Sequence, residues 1–158
     1  MAKRRKNAPR IAVPISGERI PKASESILGN FQPKAVEQAR SMSLKAAWRV
    51  NKIQMADPYG WHDMDSQTLG YIRGKLSAFE SMTWNEIFTV AKKQNHSISV
   101  ESLKCRDAKR WMQENMPDQT ELWTLRLSGK ERIWGVFAEG AYLIVFWDPN
   151  HKIMPTLQ

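Results

Sequence analysis

The amino-acid sequence predicts an α+β domain in which helices pack on a small twisted antiparallel sheet, preceded by a disordered basic arm. Two observations lead to this prediction. The last third of the chain contains three strand-like runs separated by tight turns, between Leu122 and Trp147. The middle of the chain contains stretches whose apolar residues recur at helical spacing, most clearly from Asp65 to Phe79.

The composition limits the class of protein. With 158 residues, of which 42% are hydrophobic and seven are Trp, the chain is long enough for one domain with an apolar core and a tail. Its one cysteine, Cys105, excludes an intramolecular disulfide framework and a Cys-rich zinc site. No apolar run approaches the roughly 20 residues that span a bilayer, and no apolar segment follows the charged N-terminus as in a secretory signal. We therefore expect a cytoplasmic protein without a membrane partner.

Residues 1–33 are predicted to form the disordered arm, because prolines and glycines interrupt a polar sequence that has no sustained period. Residues 1–34 contain eight Lys and Arg and two Glu, whereas residues 35–158 carry sixteen basic and fourteen acidic side chains. A basic arm on a nearly neutral domain, residues 34–158, suits an anionic polymer such as RNA. The alternative is a tail that only improves solubility. The candidate phosphate contacts in the arm are Lys3, Arg4, Arg5 and Lys6.

The first elements of the domain are weakly marked. A short helix is predicted after Pro33. The run from Ala46 to Ala56 has strand character, but its apolar residues change phase between Val50 and Ile53, which indicates a bulge or a strand in only part of the run. The sequence Asp-Pro-Tyr-Gly at 57–60 predicts a turn at its end.

Three helices are expected between the first strand and the C-terminal strands. Asp65 or Ser66 can cap a helix with apolar residues at 69, 72, 76 and 79. The sequence Thr-Trp-Asn-Glu at 83–86 is a capping box that begins a second helix. A shorter third helix is predicted from about Arg106 to Asn115, ended by Pro117.

The C-terminal third predicts a three-stranded meander. Residues 122–127 alternate between two faces, and a turn at 128–131 leads to a strand at 132–138. Glu139-Gly140 forms a second tight turn. Residues 141–147 are apolar on both faces, as expected for a strand that is covered on both sides.

The stretch LRLSGKERIWGVFAEGAYLIVFWDPNH, residues 125–151, resembles the C-terminal core of the RelE/ParE toxin superfamily. Members typically have a strand that ends in Arg, a second strand that opens with Arg, an apolar third strand and often a terminal His or Tyr. The pair Arg132 and His151 is similar to the YoeB-like branch, in which an arginine and a histidine near the C-terminus serve RNA cleavage. The segment from His96 to Gln119, with its extra helix, is longer than the family usually has at this place.

The resemblance implies a strand, two helices and a meander, and a toxin-like endoribonuclease that cleaves mRNA, either free or on the ribosome, without a cofactor. RNA or the ribosome would be its partner, together with an antitoxin protein. Arg132, His151 and Glu131 are the candidate catalytic residues. His151 can act as acid or base near neutral pH, and Glu131 can act as base if it points into the cleft. Cations around the hairpin and beyond it can hold the phosphate, namely Arg126, Lys130, Arg132 and Lys152.

A second basic cluster lies on and before the third predicted helix, where Arg106 and Arg110 share one face and Lys109 lies beside them. These side chains suit contact with an RNA backbone. Trp111, which follows directly, is expected to pack into the core, and the alternative for the basic face is that it is only solvated. His62, Asp63, Asp65 and His96 match no common metal-ligand spacing, so no metal site is predicted.

Two other functions remain open. The same fold can serve as a non-catalytic module that binds RNA, a ribosome or a protein. A further alternative is an accessory protein of a phage or mobile element whose meander docks onto a protein.

Overall fold

A computed structural model describes residues 33–155, and their side chains from Val36 onward. The predicted arm, with Lys3, Arg4, Arg5 and Lys6, lies outside the described residues except for Pro33. Within the described part of the chain, no helix is long and apolar enough to cross a membrane.

Three α-helices form where the sequence predicts them. Helix α1 spans Pro33–Met42, α2 spans Ser66–Phe79 and α3 spans Arg106–Asn115. The Asp65 side chain caps α2 by accepting a hydrogen bond from the amide of Thr68 at 2.7 Å. The carboxylate of Glu86 accepts from the amide of Thr83 at 2.7 Å, which confirms the capping box.

The helix that follows this box is short and wide. It is a π-helical turn over Glu86–Val90, and its inner face buries Ile87 and Phe88. A 3-10 turn spans Val100–Ser102 before α3 begins. Between the two turns lies a strand, His96–Ser99, that was not predicted from the sequence.

The sheet consists of β1 (Trp48–Arg49), β2 (His96–Ser99), β3 (Glu121–Arg126), β4 (Arg132–Ala138) and β5 (Ala141–Asp148). Across the described residues the strand order is β1-β5-β4-β3-β2. The predicted meander, β3 to β5, is confirmed. The expectation of an entirely antiparallel sheet was wrong, because β1 pairs with β5 in parallel and makes the sheet mixed. Strand β2 is an additional strand that pairs antiparallel with β3.

The two meander connections set the register that builds the site described below. Strands β3 and β4 align Arg126 with Arg132, and β4 and β5 align Arg132 with Asp148. The β4–β5 register shifts by one residue between Trp134 and Gly135. A Cβ atom at Gly135 would lie 2.1 Å from the carbonyl oxygen of Leu143, so only glycine fits at this shift.

The sheet is covered on both faces, which makes β5 buried along almost its whole length. One core contains Ile72 of α2, Trp84, and residues of the π-helical turn packed on Leu125 and Tyr142. The other contains Ala108 and Met112 of α3, packed with residues of the opposite sheet face. Burial of this apolar surface is the main stabilising contribution to the fold. The α+β class is therefore confirmed.

Candidate functional site

A basic cleft opens on the α3 side of the sheet, beside β2 and the C-terminal end of β5. Its volume is about 670 Å³. Thr124 and Trp134 contribute to its wall. No Asp or Glu lines it among the described residues. The ionisable side chains that line it are Lys93, His96, Lys104, Arg126, Arg132 and His151.

Strand register explains why these residues meet. Side chains two positions apart on a strand share one face, and paired residues on adjacent strands are neighbours. Arg126, Arg132 and Asp148 therefore form one row across β3, β4 and β5. The next row on the same face consists of His96, Thr124, Trp134 and Phe146.

Arg132 lines the cleft and is only 7% exposed. Its Nη1 atom donates hydrogen bonds to the carbonyl oxygens of Ser128 at 3.0 Å, Gly129 at 3.1 Å and Glu131 at 3.0 Å. The side chain thus closes the β3–β4 turn. Burial lowers its pKa below the ordinary 12.5 and Arg126 lowers it further, whereas Asp148 raises it.

Arg126 is the exposed neighbour of Arg132. Its Nε atom donates to the carbonyl oxygen of Ser128 at 3.0 Å, so both arginines are oriented by the same turn. Two guanidinium groups held side by side repel each other, and an anion between them would relieve that repulsion. Guanidinium groups can also bind phosphate oxygens in a bidentate manner. This pair therefore has the charge and the geometry to bind an anion.

His151 is held over this row by Asp148, which is fully buried. The carboxylate accepts hydrogen bonds from the backbone amides of Lys152 and Ile153, both at 2.9 Å, and from the indole of Trp134 at 3.3 Å. The chain turns back through His151, whose φ is 55°. Burial, and then Arg132, lower the pKa of His151 below 6.5. A neutral imidazole is thereby favoured near pH 7.

His96 enters the cleft from β2, and the sequence analysis did not propose a role for it. Burial lowers its pKa below 6.5, and Arg132 adds to the effect. The preceding Asn95 is buried and joins two elements. Its Oδ1 accepts from the amide of Arg126 at 2.8 Å, and its Nδ2 donates to the carbonyl of Ile87 at 3.2 Å. In the sequence, His96 is marked only by the asparagine before it. This pair does not indicate a site unless the strand β2 is known.

The other residues predicted for the hairpin lie outside the cleft lining. The Glu131 carboxylate accepts a hydrogen bond from the Ser128 hydroxyl within the turn. Lys130 is exposed at the turn. Lys152 lines a separate recess of about 230 Å³ beside Pro149.

The cations of α3 are mostly engaged in local ion pairs. Lys109 Nζ lies 2.7 Å from a Glu101 carboxylate oxygen, and Arg110 lies 2.6 Å from that of Asp107. Arg106 is exposed at the start of the helix. Trp111 is half-buried and packs edge-on against Phe146, with ring centroids 5.0 Å apart, as its core assignment predicted.

Of the residues considered as metal ligands, Asp65 caps α2 and His96 lies in the basic cleft. His62 and Asp63 remain together, and Asp57 joins them, with one ligand atom from each within 4.8 Å of the others. All three are exposed, and His62 Nε2 lies 3.1 Å from Asp63. This group can offer one nitrogen and two oxygen ligands, but it lies outside the basic cleft.

No protein-family model, curated protein or solved structure matches this chain. The resemblance to the RelE/ParE superfamily therefore stays a prediction, and the cleft is interpreted from its own geometry.

Proposed function

We propose that the protein is a toxin-like endoribonuclease that cleaves RNA in the basic cleft without a metal ion. The observation that carries the proposal is that Arg126, Arg132 and His151 line one cleft. Among the described residues, no Asp or Glu contributes to the lining of this cleft. Such a cleft attracts a polyanion and offers an imidazole where a phosphodiester would lie.

The residues present suit cleavage that uses the RNA 2′-hydroxyl. The reaction needs a group that moves a proton and cations that stabilise charge developing on the phosphate. The side chains of Arg126 and Arg132 supply the charge, and His151 supplies an imidazole with a lowered pKa. In the conformation described, Glu131 would have to give up its hydrogen bond to Ser128 before it acted as base. His151 is therefore the better candidate.

The order of β1, α2, the π-helical turn and the meander supports a RelE-like topology as part of this proposal. A role in a toxin–antitoxin module, with mRNA on the ribosome as substrate and an antitoxin as inhibitor, follows from that resemblance. The arm and the cations of α3 would extend the contact with RNA beyond the cleft.

The test is induced expression in a bacterial host, with measurement of protein synthesis and mRNA integrity. His151→Gln and Arg126→Gln are the informative variants, because neither removes the Arg132 contacts that close the turn. Lys75→Gln, on α2, is the matched control on the other sheet face. Translation arrest with cleaved mRNA in the wild type and the control, but not in the cleft variants, supports the proposal. Intact RNA, both in cells and with purified protein on free and ribosome-bound mRNA, contradicts it.

A second candidate is a non-catalytic module that binds RNA. It is favoured by the three carbonyl contacts of Arg132, which give this arginine a structural role that needs no catalysis. The two candidates differ in one measurement. Purified protein that binds RNA, loses affinity in Arg126→Gln and yields no cleavage products would be the binding module.

A further inference from the structure

We infer that His96 is a second catalytic residue and that it works with His151 as a general acid–base pair across the basic cleft. This inference rests on the proposed RNA cleavage and assigns its second proton-transferring group. It concerns a strand, β2, that the RelE-like pattern of one strand, two helices and a meander does not contain.

The strand order places the two histidines on either side of the arginines. His96 is on β2 at one edge of the sheet, and His151 follows β5. Strands β3 and β4, which carry Arg126 and Arg132, lie between them. A phosphate bound by the two arginines would thus have an imidazole on each side, as an in-line displacement requires for its attacking and leaving oxygens.

Each histidine is held next to a buried polar residue. Asn95 precedes His96 and ties β2 to the amide of Arg126. Asp148 accepts two backbone amides of the turn that carries His151. Buried polar groups destabilise a fold unless they are hydrogen-bonded, and the bonds of each of these fix the backbone next to one cleft histidine.

Burial, and then the charges around the pair, favour neutral imidazoles in the cleft. His96 and His151 share this surface with Lys93, Lys104, Arg126 and Arg132, and Asp148 is the acidic group that acts on His151. The two imidazoles are close enough for His96 itself to lower the pKa of His151. A bound phosphate would oppose these effects and raise both values, so one histidine can be protonated while the other stays neutral.

The reaction balances without another reactant. One neutral imidazole takes the proton of the RNA 2′-hydroxyl as the 2′-oxygen bonds to phosphorus. The bond between phosphorus and the 5′-oxygen breaks, and the other histidine, as imidazolium, gives its proton to that oxygen. The products are a 2′,3′-cyclic phosphate and a 5′-hydroxyl. Transfer of a proton between the two histidines through solvent restores the starting state.

The experiment measures kcat/KM against pH for purified full-length protein on a short synthetic mRNA, both free and bound to ribosomes. The wild type should give a bell-shaped profile. His96→Gln and His151→Gln should each lower the rate by about 10² to 10⁴ and each remove one limb of the bell. His62→Gln, which changes the one histidine outside the cleft, should leave the rate and the profile unchanged.

A second substrate separates the two roles. When sulfur replaces the bridging 5′-oxygen, the leaving group needs no proton, so the variant that lacks the acid should regain most of its rate. The variant that lacks the base should not. Rescue of one variant and not the other supports the pair and identifies the acid.

The outcomes distinguish the inference from the proposal on which it rests. A wild type that cleaves no RNA overturns both. A wild type that cleaves RNA, together with a His96→Gln variant of unchanged rate and profile, overturns only the inference. A His96→Gln variant with weaker binding but an unchanged pH profile and kcat makes His96 a phosphate contact and overturns the pair. If the sulfur-substituted RNA restores the rate of both histidine variants, or of neither, the pair is also overturned.

Discussion

The side-chain oxygen of Asn95 accepts a hydrogen bond from the backbone amide of Arg126 at 2.8 Å. This contact joins β2 to the end of β3 where the cleft opens, and the amide of the same side chain bonds to Ile87. Because Asn95 is 3% exposed, water cannot easily replace either partner. One buried amide therefore couples the π-helical turn, the edge strand and the arginine row.

Asn95→Ala should lower the free energy of unfolding by about 1–3 kcal/mol, because the part-buried amide of Arg126 and the buried carbonyl of Ile87 each lose a hydrogen bond. Urea unfolding followed by tryptophan fluorescence measures the change. Asn115→Ala is the control, since that exposed side chain bonds only to a carbonyl in its own helix, and its effect should stay within about 0.5 kcal/mol. If the two variants changed the free energy of unfolding equally, the buried contacts of Asn95 would contribute no more to stability than the exposed contact of Asn115.

Asp148→Asn should release the turn that carries His151. Both carboxylate oxygens of Asp148 accept hydrogen bonds in the wild type. In the asparagine variant one of these oxygens is replaced by an NH₂ group, which cannot accept, so at least one of the hydrogen bonds is lost. We expect a destabilisation of about 1–3 kcal/mol and faster amide hydrogen exchange at Lys152 and Ile153. Exchange at these two amides that matches the wild type would contradict the anchoring role.

Stability should fall on acidification through the range in which histidines titrate. Because His96 and His151 have lower pKa values in the folded protein than the ordinary 6.5, the unfolded chain binds more protons near and below that pH. The contribution of the two groups is complete above about pH 6.5 and is lost as the pH falls through their folded pKa values. Urea unfolding between about pH 7.5 and 5 measures this loss. The double variant His96→Gln/His151→Gln should have a flatter slope in this interval, and an unchanged slope would contradict the prediction.

The salt dependence of RNA binding should increase with the number of cleft cations that contact phosphates. Lys104→Gln removes one lysine from the lining, so the slope of log Kd against log salt concentration should fall by about 0.7 for a single strand. Lys75→Gln, whose ammonium lies over the ring of Tyr71, should leave the slope unchanged. Fluorescence anisotropy with a labelled oligoribonucleotide measures both. If the two variants share the wild-type slope, Lys104 does not contact the backbone.

Local signals predicted most of the fold. The meander follows from alternation and two tight turns, and α2 and its capping residue follow from a helical repeat after Asp65. The parallel pairing of Trp48 with Tyr142 could not be predicted, because it joins residues that are distant in the chain. Strand β2 was missed because its four residues are mostly polar and are defined by pairing with β3.

The same limit applies to the candidate site. Arg126, Arg132 and His151 were identified because they lie in or directly after the meander, where register can be inferred from the turns. Glu131 was assigned to the same group by proximity in sequence, but its side chain is bound within the turn. His96 could not be added, since only the long-range pairing of β2 with β3 places it in the cleft.

The closure of the β3–β4 turn by Arg132 has a consequence for how such a sequence can diverge. A descendant that lost the proposed RNA cleavage would still keep a structural use for this arginine, because its Nη1 atom donates to three turn carbonyls. The imidazoles of His96 and His151 are under no comparable demand from the turn. In any lineage of this chain, the arginine should therefore outlast the proposed activity, and joint loss of the two histidines would mark a protein that can bind RNA but not cleave it in the proposed way.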